Sequence, residues 1–347
     1  MSFRYIGSKA RLVEAILGHV GKPDGGKFID AFCGTGSVAE AAANAGWPVL
    51  VNDHLASSAI MSLARVTSRK QVPFKEFGSY EAAVAALNLA EPIAGFIWRE
   101  YSPASASYCA TERKYFTEDN AQKIDGIRQQ ISTWSYEGVV TESEAYLLIA
   151  DLMRAANRVA NTAGTYGCFL SKWQRQSLAT LVLAPRLITD QAPAVQMSNR
   201  DVLDVECTLN DTVYLDPPYT KRQYAAYYHI LETIALGDEP EVQGVCGIRP
   251  WKHIASDYCY KVRAAAALEK LVATIPARRV FLSYSTEAHV PLDVLSEALQ
   301  SLGTVVRHDL DAVGRYRPNR VASEGGSKVG EVLFYVEKNA QASREAA

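Results

Sequence analysis

Residues 214–219, with the sequence YLDPPY, hold the side chains of this chain that are best suited to chemistry. The carboxylate of Asp216 can accept hydrogen bonds from an exocyclic amine, and the carbonyl of Pro217 is a second acceptor. Tyr219 offers an aromatic ring for stacking. Two acceptors beside a ring form a pocket for a flat base that carries an amino group, which is adenine or cytosine.

The two prolines also indicate where this group lies in a fold. Residues 213–215 form a short apolar run that is typical of a buried strand, and Pro217 and Pro218 cannot continue a central strand. Asp216 is therefore expected where the strand stops. Because ligands bind at that edge of open α/β sheets, the sequence predicts a binding site there.

A second group, residues 30–39 (DAFCGTGSVA), has the pattern of a strand, a glycine turn and the start of a helix, which brings backbone N–H groups close to a ligand. Gly34 and Gly36 also satisfy a relaxed dinucleotide fingerprint, and Asp53 follows at the distance of a ribose-binding acid. A nicotinamide enzyme is therefore one interpretation. Asp30 favours S-adenosylmethionine (SAM), because a carboxylate at this turn suits a cationic ammonium group better than a pyrophosphate.

The hydrophobic periodicity predicts an α/β fold with a doubly wound, Rossmann-like sheet and a mostly helical insertion. The opening strand, helix and strand are expected at 27–32, 37–45 and 49–51. Strand signals return at 194–197, 212–215, 280–284, 304–306 and 332–336, and helices are expected at 80–89, 120–131, 142–159, 227–236, 258–275 and 292–302. The predicted domains are a sheet domain of 1–66 and 194–338, an insertion of 67–193 and a disordered tail of 339–347. A capping box is expected at Thr141 and Glu144.

Composition restricts the classes of function. The chain has 347 residues, of which 48% are hydrophobic, and a net charge of -2, so a surface for nucleic acid has to be local. The absence of a long apolar run and of a signal-peptide core predicts a cytoplasmic protein. Six cysteines without a CxxC pair argue against zinc and against a disulfide framework, and no metal site is predicted.

Together these motifs resemble the α-class, Dam-type, SAM-dependent DNA adenine-N6 methyltransferases, in which a SAM-binding half, a target-recognition insertion and a catalytic half follow one another. DPPY at 216–219 is that family's catalytic motif, and 30–36 resemble its FxGxG motif, which includes Phe32. Tyr5 and Lys9 resemble the N-terminal motif that helps to hold the methionine end of the cofactor.

The resemblance also assigns two acids and a subgroup. Asp53 is similar to the ribose-binding acid, and Asp201 to the acid that contacts the adenine of the cofactor. Residues 222–232 resemble methyltransferases of FokI-type restriction systems. The resemblance therefore implies SAM as cofactor, double-stranded DNA as substrate, a prokaryotic or phage cytoplasm and a cognate restriction endonuclease as a possible partner.

Basic and aromatic side chains mark the predicted DNA-binding surface. Residues 151–186 include five basic residues and only one acidic residue, and three aromatic residues lie among the basic ones in the sequence. Basic groups would hold phosphates, and a side chain could fill the space left by a flipped base. The predicted DNA-binding residues are Arg158, Asn161, Tyr166, Lys172, Arg222, Gln223, Tyr224, Arg315 and Arg317.

The predicted mechanism needs no covalent intermediate. The lone pair of the adenine amine is delocalised into the ring, and Asp216 with the Pro217 carbonyl would accept both amine protons and localise it. Tyr219 would stack on a base flipped out of the duplex. The pocket alone does not separate adenine from cytosine-N4 or DNA from RNA, and a catalytically silent, SAM-sensing DNA-binding module stays open. His229 and Glu232 are assigned no chemistry.

Overall fold

The computed structural model describes residues 6–313 and 329–339. Tyr5, Arg315 and Arg317, for which site roles are predicted, lie outside the described residues, as do residues 340–347 of the predicted tail.

A single sheet of seven strands is formed within the described residues, in the order β3-β2-β1-β4-β5-β7-β6. The strands are β1 (Phe28–Asp30), β2 (Val49–Asn52), β3 (Val195–Ser198), β4 (Thr212–Leu215), β5 (Arg279–Ser285), β6 (Gly303–Val313) and β7 (Val329–Lys338). The first five strands pair in parallel, and β7 runs antiparallel to both of its neighbours. The predicted Rossmann-like α/β fold is confirmed.

Strand order reverses at the centre of this sheet, where β1 lies beside β4 and Asp30 pairs with Tyr214. In doubly wound sheets the crevice outside the carboxyl ends of the strands at such a reversal is where ligands bind. The residues that directly follow β1 and β4 are the glycine turn and Asp216. The topology therefore brings the two predicted groups to one edge of the sheet.

Eleven α-helices accompany the sheet within the described parts of the chain. They are α1 (Val13–Val20), α2 (Ser37–Asn44), α3 (Ala56–Val66), α4 (Tyr80–Leu87), α5 (Phe96–Tyr101), α6 (Glu118–Tyr136), α7 (Glu142–Val159), α8 (Tyr224–Tyr227), α9 (His229–Leu236), α10 (Ala264–Thr274) and α11 (Leu292–Gln300). The predicted capping box is confirmed: Thr141 Oγ1 accepts from Glu144 N at 3.3 Å, and Thr141 N donates to Glu144 Oε2 at 2.8 Å. None of the described helices has both the length and the apolar character needed to cross a membrane.

Several elements differ from their predicted bounds, and for two of them the structure gives a reason. The helix expected at 258–275 begins only at Ala264, because a short 3₁₀ helix at Asp257–Cys259 precedes it. The strand expected at 304–306 extends over all of β6, although the sequence RHDLD inside it is mostly polar. β6 is an edge strand that pairs with β7 alone, so it needs no continuous apolar run.

The described chain divides into two compact units. One unit consists of 8–54, 193–223 and the described residues from 256 onward, and it contains all seven strands with α1, α2, α10 and α11. Its core packs α10 and α11 side chains against strand residues such as Val213, Leu215 and Leu282. The other unit consists of residues 6–7, 55–192 and 224–255 and contains the remaining seven helices.

Candidate active site

Asp216 directly follows the last residue of β4, and its side chain is only 14% exposed. Leu215 before it is fully buried, which fixes the strand end against the core. Tyr219 lies at the same edge, half-buried, with its ring edge-on to Tyr284 at a centroid distance of 5.8 Å. The predicted arrangement of a carboxylate and an aromatic ring at a strand end is present.

Lys9 lies beside this group and is almost completely buried, with 5% of its side chain exposed. Its Nζ is 3.1 Å from Asp216 Oδ1 and 3.3 Å from Glu331 Oε2. The same Nζ donates to the hydroxyl of Tyr219 at 3.5 Å and lies 5.1 Å from the centre of that ring. One buried ammonium group therefore connects the carboxylate of Asp216, the ring of Tyr219 and the carboxylate of Glu331.

These charges shift one another's protonation. Burial raises the pKa of Asp216 to about 6; Lys9 opposes this rise and Glu331 adds to it. Burial by itself would lower the pKa of Lys9, but its anionic neighbours, Asp216 first, hold that pKa well above the ordinary value. Near neutral pH Lys9 is therefore a cation, and Asp216 is an anion that gains a proton as the pH falls through about 6.

The turn after β1 is fixed by two carboxylates. Gly34 and Gly36 have φ angles of +50° and +77°, which favour glycine. The N–H of Gly34 donates to Asp53 Oδ2 at 3.0 Å, and the N–H of Ala39, in the first turn of α2, donates to Asp30 Oδ2 at 3.1 Å. Asp53 and Asp30 thus hold the turn and the helix start in place from two neighbouring strands.

Asp30 is the least satisfied side chain of the turn. It is 2% exposed, and its Oδ1 has no hydrogen-bond partner among the described residues. Burial, with a smaller contribution from Asp216, raises the pKa of Asp30 to about 8. A buried carboxylate oxygen that lacks a donor is a position at which a cationic or N–H-bearing ligand would be stabilised.

The stability of the folded protein should depend on pH through Asp30. The pKa of Asp30 is about 8 in the folded protein and 3.8 ordinarily, so the folded state holds the proton more tightly than the unfolded state does. The stability that this group contributes is fully present below pH 3.8 and is lost as the pH rises toward about 8. We expect Asp30→Asn to remove this loss, which amounts to at most about 4 kcal/mol of unfolding free energy between pH 5 and pH 8. Urea unfolding across that pH range measures it.

The matched control is Asp293→Asn, which changes an exposed aspartate of α11 in the same unit. Its unfolding free energy should follow that of the wild type at every pH. Parallel pH profiles for Asp30→Asn and the wild type would contradict the assigned protonation of Asp30.

The ends of β1 and β2 and the loop after β3 are connected through Asn52. Its Nδ2 donates to the carbonyls of Ala31 and Arg200 at 3.1 and 3.2 Å, and its Oδ1 accepts from the N–H of Arg200 at 3.2 Å. Asp201 follows as an exposed residue that caps the 3₁₀ helix Val202–Asp204, accepting from Leu203 N at 2.9 Å. The structure thus places the predicted cofactor acid at the same sheet edge as the turn, with its carboxylate used as a cap.

Two predicted DNA-binding residues of the helical unit are buried. Asn161 is 0% exposed and makes hydrogen bonds to the backbones of Lys114, Leu170 and Gln174. Tyr166 is also 0% exposed, and its hydroxyl donates to Asn157 Oδ1 at 3.1 Å. Side chains without exposed surface cannot contact a phosphate, so any part they have in DNA binding is through the shape of this segment.

The other predicted DNA-binding residues differ in exposure. Arg158, Lys172 and Arg222 are exposed. Gln223 is half-buried and braces its loop, donating from Nε2 to Ser256 O at 3.2 Å and accepting at Oε1 from Ser256 N at 3.0 Å. Tyr224 begins α8, and its hydroxyl donates to Ile6 O at 3.2 Å.

Two residues that sequence reasoning did not single out lie at the site. Glu331 contacts both Lys9 and the hydroxyl of Tyr219. Tyr258 packs edge-on against Phe32 of the glycine turn, with ring centroids 5.6 Å apart. The sequence feature that could have indicated Tyr258 is its place in the apolar pattern that leads into α10. Glu331 has no local signal, since its position depends on the antiparallel direction of β7.

No group of three or more histidine, cysteine, aspartate or glutamate side chains that could hold a metal ion occurs within 6–313 and 329–339. The six cysteines are free thiols.

Comparison with known proteins now identifies the family. The sequence profile of the D12 class N6 adenine-specific DNA methyltransferases matches residues 5–293. The chain belongs to this family. The resemblance that the DPPY group and the glycine turn indicated is confirmed.

Individual relatives are similar over most of the chain. The type II methyltransferase M.FokI of Planomicrobium okeanokoites is 32% identical over 345 residues, which is 97% of this chain and 53% of that protein. The modification methylase StsI of Streptococcus sanguinis is 31% identical over 96% of this chain and 52% of its own length. The chain thus spans about half the length of these two relatives. The type II methyltransferase M.NlaIII of Neisseria lactamica is 31% identical over 86% of this chain and 88% of its own length.

Proposed function

We propose that this member of the D12 class family is a site-specific, SAM-dependent DNA methyltransferase that modifies N6 of an adenine flipped out of duplex DNA. The observation that carries the proposal is the juxtaposition of Asp216-Pro217-Pro218-Tyr219 with the glycine turn at one sheet edge, through the pairing of β1 with β4. The family match to residues 5–293 includes both groups. A dinucleotide interpretation of the turn would leave the DPPY group without a role.

The residues around the turn fit SAM. The unpartnered, buried Oδ1 of Asp30 suits a cationic ammonium group, and Asp53 and Asp201 follow the neighbouring strands as acceptors for hydroxyl and amine groups. Phe32 and Tyr258 offer aromatic surface for an adenine ring. When bound, SAM supplies an electrophilic methyl group.

The side chains after β4 are suited to activate an amine. Asp216 would accept one amine proton and the Pro217 carbonyl the other, which localises the nitrogen lone pair and stabilises the positive charge that develops on it. Burial makes both interactions stronger than they would be in water. Tyr219 would stack on the flipped base, and the rigidity of the two prolines keeps these acceptors in fixed positions.

Target recognition is proposed to involve helical residues 67–193. Arg158 and Lys172 are exposed cations there, and Arg222 is exposed after the catalytic loop. The names of the relatives M.FokI and StsI describe a type II methyltransferase and a modification methylase. By analogy, we propose that the chain acts in the cytoplasm of a prokaryote or phage as the modification part of a restriction system, with a cognate endonuclease that need not form a stable complex with it.

Methyl transfer to nucleic acid tests the proposal. Purified protein is incubated with tritiated SAM and, separately, mixed-sequence duplex DNA and an RNA of the same base composition. We expect label in the duplex DNA alone. Label in RNA would replace the DNA assignment, and tight SAM binding without any transfer would support the silent binding module.

Lys172 should contact a DNA phosphate. We expect Lys172→Ala to weaken binding of duplex DNA about equally for all sequences and to reduce the slope of log affinity against log salt by roughly one. The measurement is fluorescence anisotropy with labelled duplex at several salt concentrations. Lys75→Ala, which removes another exposed lysine of the same unit, is the control and should keep the wild-type slope. An unchanged slope for Lys172→Ala would remove Lys172 from the DNA-binding surface.

A further inference from the structure

Glu331 lies near the start of β7, where it pairs with Ser285 at the end of β5. Because β7 is antiparallel to β5, it begins at the edge where the parallel strands end. The side chain is 12% exposed and lies beyond the part of the chain that the family profile matches. The topology thus adds to the catalytic edge a carboxylate that belongs to neither of the recognised motifs.

Two carboxylates share one ammonium group at this edge. Lys9 Nζ is 3.1 Å from Asp216 Oδ1 and 3.3 Å from Glu331 Oε2. The other oxygen of Glu331 accepts from the hydroxyl of Tyr219 at 3.3 Å. All three charged side chains are at least 86% buried. In such surroundings a charge that loses its partner is strongly unfavourable, so these groups respond to one another.

The proposed reaction creates a conflict for Lys9. The amine of the target base needs the carboxylate of Asp216 as its acceptor, and in the structure the Lys9 cation lies against Oδ1 of that carboxylate and lowers its basicity. If Asp216 were the only counter-ion, withdrawal of Lys9 would leave a buried cation unpaired. Glu331 provides a second anion at nearly the same distance, so Lys9 can release Asp216 and stay neutralised.

We propose that Glu331 is a positioning residue, which holds Lys9 away from Asp216 when the target amine binds and fixes the ring of Tyr219 through its hydroxyl. The inference rests on the proposed methyltransferase function and deepens it. Glu331 touches neither reacting atom; it acts through Lys9 and Tyr219.

The test is Glu331→Gln, which keeps the shape of the side chain and removes its charge. Lys9 then has Asp216 as its only anionic partner in this group, and we expect the single-turnover rate of methyl transfer to fall about 10–100-fold. SAM affinity, measured by calorimetry, should stay within about two-fold of the wild type. Glu331→Asp keeps the charge and should recover part of the rate. Glu337→Gln, an exposed glutamate of the same strand, is the matched control and should behave as the wild type.

The pH dependence of the single-turnover rate separates positioning from a structural role. The rate should fall on the acid side as Asp216 gains a proton near pH 6. Since Glu331 raises the pKa of Asp216 and Lys9 lowers it, this acid limb should move to lower pH in Glu331→Gln and to higher pH in Lys9→Met. In the double variant, Glu331→Gln should cause little further loss of rate beyond that of Lys9→Met alone, because Lys9 is no longer present to occupy Asp216.

The outcomes distinguish this inference from the proposed function. If the wild type transfers no methyl group to DNA, the proposed function fails. Thermal unfolding first establishes that Glu331→Gln is folded. If the wild type is active and this folded variant keeps the wild-type rate and acid limb, the proposed positioning role of Glu331 is wrong. Additive rate losses in the double variant would likewise overturn it.

Discussion

Asp216→Ala should lower the single-turnover rate of methyl transfer by at least about 1,000-fold while SAM affinity stays within a few-fold of the wild type. The variant removes the acceptor that localises the amine lone pair and the charge that stabilises the developing cation, and loss of one preorganised group of this kind costs roughly 100–1,000-fold. Asp216→Ala removes both the acceptor and the stabilising charge, so the loss of rate is expected at or above the upper end of that range. Rapid-quench measurement at saturating SAM and DNA isolates this step.

Asp293→Asn, in the same unit and exposed, is the control and should keep the wild-type rate. Calorimetric SAM binding shows that Asp216→Ala still forms the cofactor site. A rate within about ten-fold of the wild type would contradict the assignment of Asp216 as the catalytic acceptor.

Glu232→Ala should strongly destabilise the helical unit. Glu232 is 5% exposed in α9, and its two carboxylate oxygens accept from Ala56 N and Ser57 N at 3.0 and 2.9 Å. These are N–H groups at the start of α3, whose N-cap residue Leu55 has no side chain that can accept. Hydrogen bonds to a charged group contribute about 1.5–3 kcal/mol each, so we expect the loss of two to lower the unfolding free energy by roughly 3–6 kcal/mol.

Urea unfolding followed by circular dichroism measures this loss. Glu137→Ala, which truncates an exposed glutamate of the same unit, should change the unfolding free energy by less than about 0.5 kcal/mol. A loss below about 1 kcal/mol for Glu232→Ala would show that the N-terminus of α3 does not depend on this carboxylate.

His229, in the same helix, is also part of the packed interior: it is 0% exposed, and burial lowers its pKa to about 4.

The sequence predicted the features that depend on short stretches of chain. The apolar run before Asp216 and the prolines after it indicated a strand end, and the glycine spacing after Asp30 indicated a turn into a helix. Both follow from local backbone restrictions that few alternative structures satisfy. The capping box at Thr141 was predicted for the same reason.

Long-range features could not be predicted in this way. Glu331 reaches the site because β7 inserts between β5 and β6 in the antiparallel direction, which its own residues do not encode. Asn161 and Tyr166 match the residue types of a DNA-binding segment, yet both are 0% exposed. Composition does not report burial, because an amide or a hydroxyl can be satisfied by the backbone of its own fold as readily as by a phosphate.

The nucleoside that carries the transferred methyl group decides whether this chain modifies N6 of adenine. Duplex DNA methylated by the purified protein is digested to nucleosides and analysed by mass spectrometry. We expect N6-methyldeoxyadenosine, which must be absent from DNA incubated with Asp216→Ala. N4-methyldeoxycytidine as the product, or the same yield of N6-methyldeoxyadenosine with Asp216→Ala, would contradict it.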